Sequence, residues 1–180
     1  ASQTQCVTDP LQLTSPNAGA GGLAINQWLW TFPDATTANT QNTSHTFTTA
    51  GIKLIKLNVV SAEGCVFDTT KPYTIHPRPS ASFTPNNATL CEGGAVSFTN
   101  TGSYAGTQPV NSHWWQFGDA ASGGSNISTT QNPSHNYTNY QSYTVQHVIG
   151  ISSTCVSDTI TGLVNVYAKP NNVFSYPAGC

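Results

Sequence analysis

The residues best suited to chemistry are five cysteines, Cys6, Cys65, Cys91, Cys155 and Cys180. None lies in a C-x-x-C pair, which argues against a zinc site and against thioredoxin-type redox chemistry. In a chain rich in Thr, Ser, Asn and Gln, disulfides formed in an oxidising compartment are the expected use of cysteine. The odd number leaves one cysteine without a partner inside the chain.

Two aspartates, Asp34 and Asp119, each follow an aromatic strand sequence, Trp30-Thr-Phe32-Pro and Trp115-Gln-Phe117-Gly. A carboxylate there could bind calcium or act in catalysis, or it could accept backbone N–H groups at a tight turn. Calcium sites need several clustered oxygen ligands, and the chain has only five Asp and two Glu. We therefore expect a turn role and no metal site, with calcium kept as an alternative.

Two histidines, His45 and His135, occur in matching sequences, Gln-Asn-x-Ser-His-x-(Phe/Tyr). Histidine titrates near neutral pH and is a common catalytic base, but catalysis also needs a nucleophile and an orienting acid. No G-x-S-x-G sequence supplies such a nucleophile. We expect structural histidines that bond to backbone at the turn into the next strand, and we expect no enzyme.

The tryptophans divide into two groups by their position along the strands. Trp30 shares a strand face with Phe32, and Trp115 with Phe117, so these four residues are predicted core anchors. Trp114 must point to the opposite face from its neighbour, and Trp28 lies at the start of its strand. Trp28 and Trp114 could contribute to a ligand surface or to a second apolar layer.

The composition restricts the partners. Only 12 of 180 residues carry charge, and the net charge is −2, whereas Thr, Ser, Asn and Gln supply 70 residues. Nucleic acids and anionic membranes both require clustered Lys and Arg, and the sequence has no apolar stretch long enough to span a bilayer. We expect no nucleic-acid partner, no membrane insertion, no cofactor and a monomeric chain.

An internal repeat organises the chain. Cys6 aligns with Cys91 and Trp30 with Trp115 at an offset of 85 residues; five extra residues within 120–130 then change the offset to 90, which aligns Cys65 with Cys155. We predict a first repeat over residues 1–79, a second over 80–170 and the start of a third over 171–180, where Cys180 returns to the first cysteine column. The repeat predicts bridges Cys6–Cys65 and Cys91–Cys155, with Cys180 unpaired.

Within each repeat the apolar residues alternate with a period of two, and Gly-rich turns separate the short segments. Several short strands per 90 residues, with a Trp on a central strand and a disulfide, are typical of an immunoglobulin-like β-sandwich. The predicted fold is therefore all-β, with two tandem sandwiches that each hold one intradomain disulfide.

The same residues resemble the PKD (polycystic kidney disease) domain signature, W-x-F-G-D followed by P-x-H-x-Y and G-x-Y-x-V. The second repeat carries Trp115-Gln-Phe117-Gly-Asp119 and Pro133-Ser-His135-Asn-Tyr137, whereas the first has Pro33, Thr43 and Phe47 at the Gly, Pro and Tyr positions. The added cysteine pair resembles the PKD repeats of very large surface proteins of Bacteroidetes-type bacteria, including the gliding-motility adhesin.

This resemblance implies a non-catalytic, secreted or cell-surface segment whose partners are the neighbouring PKD-like repeats and, through its polar face, polysaccharide or other surface ligands. The alternative is a spacer or carbohydrate-binding module of a secreted polysaccharide- or protein-degrading enzyme. A calcium-dependent linker is a third class.

Overall fold

The computed structural model of the chain describes residues 4–19 and 22–171. The described chain is built almost wholly of β-strands and divides into two compact units. Unit 1 contains the described residues up to Arg78 together with Tyr104–Gln108 and Ser152–Val156. Unit 2 contains Pro79–Ser103, Pro109–Ile151 and the described residues from Ser157 onward.

Unit 1 has two sheets. Its strands are β1 Gln5–Cys6, β2 Pro10–Leu13, β3 Ile25–Thr31, β4 Thr37–Ala38, β5 Thr43–Thr46, β6 Gly51–Ser61 and β7 Val66–His76. One sheet has the order β1-β7-β6-β3-β4 and the other pairs β2 with β5. The long β6–β7 hairpin sets Leu57 opposite both Trp30 and Thr69, and β1 adds in parallel at the far end of β7, with Cys6 opposite His76.

Unit 2 repeats this plan. Its strands are β8 Phe83–Pro85, β9 Thr89–Cys91, β10 Gly94–Asn100, β11 Ser112–Gln116, β12 Ile127–Ser128, β13 Ser134–Tyr137, β14 Ser142–Gly150 and β15 Ile160–Tyr167. The sheets have the orders β12-β11-β14-β15-β9 and β13-β10-β8. The extra residues of the second repeat form a short 3₁₀ segment, Ala120–Asn126.

Each unit has its own apolar core, because alternate residues of the strands point inward between the two sheets. The unit 1 core consists of Leu11, Leu13, Trp30, Phe32, Phe47, Ile55 and Ile75. The unit 2 core consists of Val96, Phe98, Trp115, Phe117, Tyr137, Tyr143, Val145, Val164 and Val166. The two immunoglobulin-like sandwiches predicted from the alternation are thus confirmed.

The disulfide differs from the predicted pairing. Cys6 is bonded to Cys155, with the Cα atoms 5.3 Å apart, whereas Cys65 and Cys91 are free and exposed. The predicted bridges Cys6–Cys65 and Cys91–Cys155 are therefore corrected. Cys180 lies outside the described residues.

The strand register explains why a bridge inside one repeat does not form. Cys6 lies opposite His76 at the end of β7, whereas Cys65 immediately precedes the start of that strand. Eleven extended residues separate these two positions by about 35 Å, far beyond the Cα separation of roughly 4.4–6.8 Å that a disulfide spans. Cys91, opposite Tyr167, and Cys155, before β15, stand at opposite ends of the second hairpin in the same way.

No helix in the described part of the chain is long and apolar enough to cross a membrane.

Candidate functional site: a histidine–aspartate pair in each repeat

In unit 2, His135 and Asp119 form a buried pair. Asp119 follows β11 through the turn at Gly118, and His135 lies on β13, so the two come from different sheets of the sandwich. His135 Nε2 lies 3.2 Å from Asp119 Oδ2, and the two side chains are only 3% and 1% exposed. The backbone N–H of Asp119 donates to Asn126 Oδ1 at 2.7 Å, which holds the start of the 3₁₀ segment.

In unit 1, His45 and Asp34 form the same pair closer to the surface. His45 Nε2 lies 2.8 Å from Asp34 Oδ2, and the aspartate is about half exposed. Asp34 also accepts hydrogen bonds from the hydroxyl and the backbone N–H of Thr36, at 2.6 and 3.2 Å. The Thr36 hydroxyl, with smaller contributions from the Thr36 backbone and His45, lowers the pKa of Asp34 to about 2.

Aromatic rings enclose both histidines. The His135 ring stacks on Phe117 with centroids 4.5 Å apart and meets the edge of Tyr137. The His45 ring stacks on Phe32 at 3.9 Å and meets Phe47 in the same edgewise geometry. The imidazole therefore joins the core stack with one nitrogen bonded to a carboxylate.

The core tryptophans make the same hydrogen bond in both units. Trp30 Nε1 donates to the carbonyl of Thr40, and Trp115 Nε1 donates to the carbonyl of Thr130, each at 3.0 Å. Both indoles are buried, and each hydrogen bond ties the central strand to the loop that leads to the histidine strand. A buried indole with a satisfied N–H is a rigid anchor for packing.

The histidine bond is a correction to the sequence analysis, which expected His45 and His135 to bond backbone. Their partners are the carboxylates of Asp34 and Asp119, 11 and 16 residues away. A signal existed in the sequence, since His and Asp recur together in both repeats. The unequal spacing concealed it, because five extra residues lie between the two columns in the second repeat.

Each pair fixes the orientation of an imidazole ring, and the contacts of that ring are packing contacts with the core. In each pair the imidazole stacks on a phenylalanine, a second aromatic ring meets it edgewise, and Nε2 lies within hydrogen-bond distance of a carboxylate oxygen. Among residues 4–19 and 22–171, no group of three or more His, Cys, Asp or Glu side chains could hold a metal ion.

The two other tryptophans occupy different environments. Trp114 points away from the core, is 39% exposed, and lies opposite Val148 on β14. The flanking amides Gln116 and Gln146 face each other across the same strands. Trp28, in contrast, is half-buried on the inward side of β3, with its Nε1 buried and without a partner in the described structure.

Sequence reasoning missed two further features. His147 is fully buried and stacks on Trp115, with centroids 3.6 Å apart, and its ring also lies parallel to that of His113. Arg78 is ion-paired with Asp9, and it also donates to the carbonyl of Val156 at 2.8 Å, next to the bonded Cys155. His147 aligns with Leu57, so the repeat gave no signal for it, whereas Arg78 aligns with Lys169, a match of charge that a comparison of identical residues does not find.

Three solved structures are similar to this chain. The fibronectin(III)-like modules of Clostridium thermocellum CbhA have a TM-score of 0.48 at 8% identity, over 97% of this chain and 96% of that one. The amphioxus IgVJ-C2 molecule has a TM-score of 0.40 at 9% identity, over 92% and 99%. Three N-terminal domains of the bacteriophage RB49 outer capsid protein Hoc have 0.42 at 16%, over 92% and 56%.

The sequence itself carries the family evidence. A family model described as PKD domain matches residues 1–75 and again residues 76–166, which together make up most of the chain. The two matches cover both His–Asp pairs and both core tryptophans. This chain therefore belongs to the PKD domain family.

Proposed function

We propose that the chain is a non-catalytic structural and adhesive segment of a large cell-surface protein, of the kind found in bacterial gliding-motility or surface adhesins. The observation that carries the proposal is the Cys6–Cys155 bond, which joins residues 149 apart in sequence. A tensile load on the chain passes through this bond and bypasses the residues between its ends. Such a covalent shortcut suits a module that transmits force outside the cell, where disulfides persist.

The polar residues support the adhesive part of the proposal. The chain has 70 Thr, Ser, Asn and Gln residues against 12 charged ones, so its surface can hydrogen-bond to sugars or proteins with little dependence on salt. The residues with catalytic potential, His45 and His135, are used for packing in both repeats. Duplication of a packing pair fits a repeated structural module.

Two measurements test the proposal. Antibodies against the chain should label intact cells of the source organism and reduce their attachment to surfaces, whereas labelling only after permeabilisation would contradict it. In single-molecule pulling, reduction of the disulfide should lengthen the fully unfolded chain by about 500 Å, since an extended residue spans about 3.6 Å. A Cys155→Ser variant should show the longer extension without reductant.

A second function is favoured by one observation, the outward face of β11 and β14. Trp114 is exposed there beside the amides of Gln116 and Gln146, and an exposed ring flanked by hydrogen-bonding groups can stack on a sugar. We propose a carbohydrate-binding module or spacer of a secreted enzyme as this alternative. Saturable binding to an immobilised polysaccharide, lost in Trp114→Ala and kept in Leu163→Ala, would favour this alternative over adhesion through the dispersed polar surface, because the binding would depend on one ring.

A further inference from the structure

The bond between Cys6 and Cys155 follows a rule that can be stated in terms of the repeat. Cys6 is the first-column cysteine of repeat 1, and Cys155 is the second-column cysteine of repeat 2. The observed bond therefore joins the first column of one repeat to the second column of the next. The register explains the rule, because the two cysteines of one repeat lie at opposite ends of its long hairpin.

The bonded pair lies in a built environment. Both cysteines are fully buried, and the segment Ser152–Val156 belongs to unit 1. Thr154 Oγ1 donates to the carbonyl of Thr4 at 2.6 Å, and the Arg78 guanidinium donates to the carbonyl of Val156 at 2.8 Å. The disulfide is thus flanked by a hydrogen bond on each side of Cys155.

The other two described cysteines are the members of the two columns that this bond does not use. Cys65 is the second-column cysteine of repeat 1, and Cys91 is the first-column cysteine of repeat 2. Both are free and exposed. They are therefore complementary halves of the same type of bond.

The surface beside Cys65 is apolar and uncovered. Val66 and Phe67, which follow it, are 66% and 65% exposed. Their counterparts in repeat 2 are Val156, which is half-buried, and Ser157, which is buried. Phe67 is among the most exposed large apolar side chains of the described structure, whereas the positions equivalent to Val66 and Phe67 in repeat 2, next to the bonded Cys155, are less exposed.

A cation lies beside the turn that follows Cys91, as one does beside the turn that follows Cys6. Lys169 aligns with Arg78, and its backbone N–H donates to Glu92 Oε1 at 3.2 Å. Its Nζ lies 3.4 Å from the point that a Cβ on Gly93 would occupy. Lys169 therefore stands beside the turn after Cys91, as Arg78 stands beside the turn after Cys6, where it can donate to an incoming carbonyl.

Resting on the proposed function, in which the chain is a segment of a larger repeat protein, we propose that Cys65 and Cys91 each form a disulfide with a neighbouring repeat of that protein. Cys91 bonds to the second-column cysteine of the repeat that follows, and Cys65 bonds to the first-column cysteine of the repeat that precedes. For each bond, two thiols give two electrons and two protons to a disulfide oxidant such as glutathione disulfide, which leaves as two thiols. Successive repeats are thereby cross-linked in series.

Two copies of this chain joined in tandem provide both cysteines of the proposed bond. A tandem protein consists of residues 1–174 followed by a second copy of residues 1–174, so that Cys65 of the second copy takes position 239. Its separation from Cys91 of the first copy is then 148 residues, against 149 for Cys6 and Cys155. The tandem protein is refolded in a glutathione buffer, alkylated, and analysed by mass spectrometry of a non-reduced digest.

The expected result is a peptide that links Cys91 of the first copy to Cys65 of the second, together with both Cys6–Cys155 bonds. The alkylated thiols fall to two, whereas four remain if the new bond does not form. Two matched variants provide the control. Cys65→Ser in the second copy should abolish the link and leave Cys91 of the first copy as a free thiol. Cys65→Ser in the first copy should leave the link intact.

Four alkylated thiols in a tandem protein that contains both Cys6–Cys155 bonds would overturn the inference. Absence of the Cys6–Cys155 bonds would also overturn it, since the rule rests on that bond. The inference does not depend on whether the segment adheres to a ligand, so the result is separate from the tests of function above.

Discussion

His147 stacks on Trp115 in the core of unit 2, with ring centroids 3.6 Å apart and an angle of 11° between the planes. The two residues lie directly opposite each other on β14 and β11. Burial, with a smaller contribution from the neighbouring His113, lowers the pKa of His147 to about 4. The imidazole is therefore packed as a neutral aromatic ring.

This pKa predicts that the protein loses stability as the pH falls. The unfolded chain binds a proton on His147 below pH 6.5, whereas the folded chain does so only below about pH 4. The free energy of unfolding should fall by about 2–3 kcal/mol between pH 7.5 and 4.5, at about 1.4 kcal/mol for each unit of pKa difference. Urea unfolding across this range measures the effect.

A His147→Phe variant is the control, because it keeps a ring against Trp115 and removes the titration. Its stability should fall less over the same range, and the remaining fall comes from His113, whose pKa burial also lowers. Asp34 does not interfere, since its lowered pKa of about 2 removes its contribution only as the pH falls from 3.8 through that value. A variant with the wild-type pH dependence would contradict the assignment to His147.

The neighbouring tryptophans Trp115 and Trp114 should respond very differently to truncation. Trp115 is fully buried against Phe98 and Phe83, so Trp115→Ala should destabilise by about 3–5 kcal/mol. Trp114 faces outward, and Trp114→Ala should cost less than about 1.5 kcal/mol. Chemical denaturation of both variants measures the difference, and equal losses would show that the strand faces are assigned wrongly.

The sequence predicted the sandwich fold because it depends on alternation, which is local. Trp115 and Phe117 are two residues apart, so their shared inward face follows from strand geometry alone. The disulfide was not predictable in this way. The repeat identifies equivalent cysteines, but only the strand register reveals that Cys6 and Cys65 lie at opposite ends of one hairpin.

The His–Asp pairs fall between these cases. Repetition marked Asp119 and His135 as important, yet their contact depends on how two sheets face each other. Five extra residues lie in the connecting loop of the second repeat, so spacing alone did not predict the partner. Packing of distant segments, which the sequence does not display, decided the contact.

The two His–Asp pairs should differ in strength because they differ in burial. Asp119→Ala leaves the His135 nitrogen buried without a partner, which should cost about 3 kcal/mol. Asp34→Ala removes a half-exposed carboxylate that His45 and Thr36 share, which should cost about 1–2 kcal/mol. Thermal unfolding of the two variants provides the comparison, and a larger loss for Asp34→Ala would contradict it.

Gly118 should not tolerate a side chain. Its φ is +75°, and an added Cβ would lie 2.5 Å from the carbonyl oxygen of Thr144. Gly118→Ala should therefore destabilise by more than about 2 kcal/mol, from the left-handed backbone and the contact together. Gly124→Ala is the matched control, since no atom lies within 4 Å of its added Cβ, and equilibrium denaturation should show it within about 1 kcal/mol of the wild type.

The first repeat leads to the opposite prediction, because Pro33 occupies the position of Gly118. Proline holds φ negative, and the turn instead places Ala35 in the left-handed region at φ 66°, where its N–H donates to the carbonyl of Phe32. An L-residue in this conformation costs about 1–2 kcal/mol, which glycine avoids. Ala35→Gly should therefore stabilise the protein by about 0.5–1 kcal/mol in urea unfolding, after allowance for the greater entropy of glycine in the unfolded chain. A loss of stability would show that the alanine methyl group contributes packing that outweighs the backbone strain.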